Sequence, residues 1–166
     1  LLKAYSFLTT GNTKKGIPRG GIDVKKNILK QLANKVKADF FVPDARVGWN
    51  KYALQSAKKL IQEDTIIITT GPPQSTHLIG LKLKEKFTEN KWIADFRDPW
   101  LELYSNQNQP QSRWAANKNK KLEASVLYAA DAITTIGPSL AKLLQDKITD
   151  KSKVHFFYNG YDAKKM

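Results

Sequence analysis

The chain has 166 residues, room for one domain with a sizeable core, and a hydrophobic content of 41% with 10% aromatic sets it apart from disordered chains. It holds no cysteine, which excludes a disulfide framework and thiolate metal sites, and no apolar run approaches the roughly 18 residues that span a bilayer. The net charge of +13 is carried mostly by lysine, and no basic run is interleaved with aromatics, so anionic partners are expected but nucleic acid is not among them.

The chain opens with loop chemistry, Gly11, Gly16, Pro18, Gly20 and Gly21. Val24, Ile28, Leu32, Val36 and Phe40 then recur at every fourth position, with Asp23 as N-cap and Pro43 closing the segment. Residues 1–40 therefore read as a loop and an amphipathic helix made basic by Lys25, Lys26, Lys30, Lys35 and Lys37. A second helix is predicted from Asn50 to Glu63, with Ala53, Leu54, Ala57, Leu60 and Ile61 on one side. Thr65 to Thr70 is an unbroken β-branched run, which predicts a strand buried on both faces. Gly71-Pro72-Pro73 ends it, and a helix follows from Gln74 to Phe87. Trp92 to Phe96 is the next strand, then a polar loop from Ser105 to Ser112 and a helix from Arg113 to Ala129. Ala132 to Ile136 and Val154 to Tyr158 are the remaining strands, separated by Gly137-Pro138-Ser139 and a short helix through Leu144. This alternation predicts an α/β fold: a Rossmann-like parallel sheet of about four strands with flanking helices.

Ligands of open α/β sheets bind outside the carboxyl ends of the strands, and the polar residues collect there. The strand Trp92–Phe96 runs into Arg97-Asp98-Pro99-Trp100, and Pro99 keeps Asp98 out of a helix. Asp95, Arg97 and Asp98 are open to two readings. Arg97 could bridge carboxylates, Asp44 among them, or the carboxylates could accept hydrogen bonds from sugar-like hydroxyls with Trp100 as an apolar face. Gly71 and Gly137 each stand between a strand and a helix, where the backbone can approach a ligand closely. His77 falls in the first turn of its helix, where the macrodipole opposes protonation and a neutral imidazole could act as a base. Neither a dinucleotide fingerprint nor a P-loop is present, His77 and His155 form no metal signature, and no metal or bound cofactor is expected.

Four segments in matching order resemble bacterial family-4 glycosyltransferases: Thr69 to Leu81, Trp92 to Trp100, Ala130 to Ile136, and Tyr158 to Asp162, with Pro43 to Trp49 as a fifth. The resemblance spans residues 41–162 and implies the two-domain GT-B fold, of which this is the later part of the acceptor domain. It implies a linker beginning at residues 163–166 and a donor-binding domain elsewhere. The sole methionine is Met166, so the chain is expected to be an excerpt of a longer protein that would not catalyse alone. Family membership implies transfer of a sugar from a nucleotide-sugar donor, the donor being substrate rather than cofactor, to a glycan or lipid-linked acceptor. Asp98 is then the first choice as base and Asp95 the second, with His77 also a catalytic candidate. Arg97, Gly71, Trp100, Gly137 and Asn159 would be substrate-binding residues.

An alternative reading is a non-catalytic α/β module that binds anionic lipid or polymer through its lysines. Either reading fits a cytoplasmic protein, peripheral at the inner membrane. The Thr65 strand is expected at an exposed hydrophobic edge, through which the chain could self-associate.

Overall fold

The computed structural model describes residues 39–102 and 112–160. After a 3-10 turn at Val47–Trp49 come α1 (Asn50–Ala57), β1 (Ile67–Gly71), α2 (Ser75–Lys86), β2 (Trp92–Phe96) and α3 (Arg113–Ala129). The order continues with β3 (Ala132–Thr135), α4 (Pro138–Gln145), a 3-10 turn at Lys151–Lys153 and β4 (Val154–Phe156). All the strand pairs are parallel, and the four strands lie in the order β1-β2-β3-β4. The α/β parallel sheet expected from the alternation is therefore present. Its register sets Gly71 beside Phe96 and Ile133 beside Val154.

Along each strand, alternate residues point to one side. Ile67, Trp92, Ala94, Phe96, Ile133 and Val154 meet Ile79, Leu83, Val126, Leu127, Ala141 and Leu144 in a single core. Right-handed crossovers that always step to the next strand in the same direction place their helices on the same side of the sheet. That explains a departure from expectation. The Thr65–Thr70 run is not buried on both faces: its strand begins at Ile67, and Ile68 is 63% exposed, with Ile66 beside it at 61%. Among the described residues the second face is uncovered. It carries Ile68, Ile93 and Ala132 in one row and Thr70, Asp95, Thr134 and His155 in the next. β1 does lie at one edge of the described sheet.

Helix limits also differ. α1 ends at Ala57, after which the amides of Lys59 and Leu60 bond to carbonyls three residues back, tightening the chain into turns. Further on, Asn90 Nδ2 gathers the carbonyls of Gln62, Glu63 and Thr65 at 2.7, 3.1 and 2.9 Å, fixing the turn into β1. β4 stops at Phe156 rather than Tyr158, since its partner β3 ends at Thr135; the Phe157 amide still donates to the Thr135 carbonyl at 2.8 Å. α3 keeps the expected limits, and Ser112 caps it by accepting from the Ala115 amide at 3.2 Å. The helix expected over residues 24–40 lies almost wholly outside the described residues, as does most of the loop from 105 to 112.

Two sets of contacts fix the helices in place. Gly80, inside α2, lies against the indole of Trp92; a Cβ there would sit 2.3 Å from the ring. Lys147, just past α4, bonds Glu123 of α3 at 2.8 Å and Glu102 at 2.7 Å. Burial raises the Glu123 carboxyl above its ordinary range, against the pull of Lys147. Among the described residues no helix is long and apolar enough to cross a membrane.

Candidate functional site at the carboxyl edge of the sheet

β1 and β2 end side by side, and the Arg97 amide donates to the Gly71 carbonyl at 3.0 Å, carrying the pairing one residue past the strand. Beyond that point the chain turns, and the guanidinium of Arg97 donates to Asn159 Oδ1 at 2.7 Å. This bond joins the end of β2 to the segment after β4, 62 residues away along the chain. Among the described residues Arg97 bridges no carboxylates. Asp44 instead accepts from the amide and hydroxyl of Ser75, at 2.7 and 2.9 Å, capping α2 from a distant segment. The half-buried Asp98 offers its carbonyl to Gln74 Nε2 at a long 3.4 Å, while its carboxylate has no partner among the described residues.

Asp95 is separated from this edge. Its side chain is on the uncovered face and accepts from the Thr134 hydroxyl at 2.8 Å. Gly137 caps α4 in an extended conformation, and a Cβ there would meet nothing within 4 Å, so neither strain nor crowding demands glycine. Gly71 is the opposite case. A Cβ on it would stand 2.6 Å from both Gln74 Oε1 and His77 Nε2.

His77 and Trp100 are not at the edge but under it. Trp100 is 1% exposed and donates from its indole to Asn119 Oδ1 at 3.2 Å, so its apolar face is turned to the core and is not offered to a ligand. His77 is fully buried and stacks on Phe96 with ring centroids 4.4 Å apart. Its pKa is lowered from 6.5 to about 4. The neutral ring expected at this position is present, but burial is the cause rather than the helix dipole.

His77 ends a buried chain of hydrogen bonds. Trp92 Nε1 can only donate, and it does so to Thr69 Oγ1 at 2.9 Å. The same hydroxyl lies 2.9 Å from His77 Nδ1, a bond in which either atom can donate, because the hydroxyl oxygen has a second lone pair. On the far side of the ring Nε2 and Gln74 Oε1 border the space left by Gly71, and both atoms are buried without a hydrogen-bond partner among the described residues. The ring is thus enclosed and packed on Phe96, two residues before Asp98. Sequence reasoning overlooked Thr69 and Gln74. Alternation in Ile67-Ile68-Thr69-Thr70-Gly71 could have marked Thr69 as an inward polar residue that needs a partner.

Among the described residues no group of three or more His, Asp or Glu could hold a metal ion. No protein-family model, curated protein or solved structure matches this chain.

Proposed function

We propose that this chain forms the acceptor side of a two-domain glycosyltransferase that moves a sugar from a nucleotide-sugar donor to a glycan or lipid-linked acceptor. The observation that supports the reading best is the carboxyl edge. Arg97, Asp98 and Asn159, all from motifs that resemble the family, lie at one end of a parallel sheet, with Arg97 bonded to Asn159. On this reading Asp98 accepts the proton of the attacking acceptor hydroxyl. It is favoured over Asp95, whose carboxylate is occupied by Thr134 on the uncovered face, and over His77, which is enclosed. Arg97 and Asn159 hold each other in place and leave further donors for acceptor oxygens. The protein would work in the cytoplasm, at the inner membrane where the acceptor is lipid-linked.

The test uses the chain joined to its donor-binding domain. Asp98→Asn is expected to lower turnover by roughly 10²–10⁴-fold, the usual worth of a general base, with little change in melting temperature. Near-normal turnover combined with a collapsed melting temperature would show that Asp98 is a structural carboxylate and overturn the assignment.

A further inference from the structure

Away from the carboxyl edge, α1 and α2 frame a groove of about 550 Å³, within the size range of small-molecule sites. α1 turns Lys51, Leu54 and Gln55 toward it, and its C-cap Lys58 continues the same helical stripe. From α2 come Leu78, Ile79 and Lys82, and Val47 adds to the apolar lining. Leu54 and Leu78 also pack against the core, so the floor is anchored. Asn50 fixes the two helices together by donating from Nδ2 to the Ser75 carbonyl at 2.6 Å, and its buried Oδ1 has no partner among the described residues. The groove is therefore preformed, with an apolar floor.

Its charge is one-sided. Lys51, Lys58 and Lys82 line it, and among the described residues no carboxylate does. Lys51 Nζ lies 4.8 Å from the ring centroid of Tyr52, and none of these lysines is ion-paired among the described residues. Lysines commonly lay their stems over apolar surface and keep their heads in water, and a groove flanked by them on both sides attracts an anion. The ligand that complements this lining has an apolar chain and one anionic head.

We propose that the α1–α2 groove binds a single-chain lipid phosphate. The inference does not depend on the sugar-transfer reading. The test is calorimetric titration of the whole chain with lauroyl lysophosphatidic acid below its micelle threshold. Glycerol 3-phosphate and monolaurin serve as the head-only and uncharged controls. One-to-one binding is expected, with each control at least about tenfold weaker, and Lys58→Gln with Lys82→Gln should weaken the lipid phosphate about tenfold. All three lysines are exposed, so these variants should keep the wild-type melting temperature. Equal binding of monolaurin would reduce the lysines to solvated surface, and equal binding of glycerol 3-phosphate would show the floor to be unused. Unchanged affinity in the double variant would move any binding elsewhere. Lysine-dependent sedimentation with anionic bilayers, without binding of the monomeric lipid, would make the surface a membrane contact. Each of these results overturns the proposal.

Discussion

Acidification should weaken this fold through one buried ring. His77 is fully enclosed, and its pKa falls from 6.5 to about 4 because burial disfavours the charged form. Between those values the unfolded chain binds a proton that the folded chain refuses. The stabilisation from His77 is therefore complete above pH 6.5 and is lost as pH falls toward 4. At about 1.4 kcal/mol per pH unit, the whole loss amounts to about 3 kcal/mol, a large share of the stability of a small domain. The assay is urea unfolding from pH 7.5 to 4.5 on the wild type and His77→Asn, which can keep a polar atom near Nδ1 but cannot ionise. Carboxylates titrate in both proteins and cancel in the difference. The wild type's advantage should shrink by up to about 3 kcal/mol across that range. Should the variant not fold, ring-proton NMR replaces it, since the chain has only two histidines and one ring signal should stay fixed from pH 7 to 5. A stability difference that is independent of pH, or a buried ring that protonates near pH 6.5, would refute the reasoning.

Gly80→Ala should destabilise the domain by about 1–3 kcal/mol in chemical denaturation, because crowding Trp92 outweighs the gain of about 1 kcal/mol in helix propensity; a more stable variant contradicts the contact. Lys147→Met should cost about 3–5 kcal/mol at pH 7 by leaving the buried Glu123 carboxylate unpaired. That cost should diminish as pH falls and Glu123 takes up a proton, so unfolding curves at pH 7 and pH 5 check both the size and the sign. Arg97→Gln removes an exposed bond to Asn159, and its effect on unfolding free energy should stay within about 0.5 kcal/mol.

What was legible in the sequence was whatever depends on local pattern. Strand–helix alternation, the Gly71-Pro72-Pro73 break and the limits of α3 all follow from periodicity and punctuation, and the structure keeps them. What was not legible depends on partners far along the chain. An unbroken β-branched run fits a strand covered on one face as well as on two, so Ile68 could not be assigned before the strand order was known. Arg97 and Asp44 looked like a pair of opposite charges, yet one holds Asn159 and the other caps α2. Trp100 beside two carboxylates resembled a sugar platform, but Asn119, within α3, draws its indole into the core. His77 was singled out for the right protonation state and the wrong cause, since depth below a surface has no signature in a single turn of helix.

The one-directional order of the strands has a topographic consequence. In an open α/β sheet, a crevice deep enough to enclose a ligand opens where successive crossovers part to opposite sides, that is, where the winding changes sense. Winding from β1 to β4 never reverses, so no such parting occurs between any two of the described strands. A crevice of that kind would flank the described sheet, along the outer edge of β1 or of β4. Gly71 ends the first of these border strands and Asn159 follows the second, with Arg97 reaching between them. The floor described here is a ledge, and its depth as a binding site has to be supplied by whatever stands against its borders.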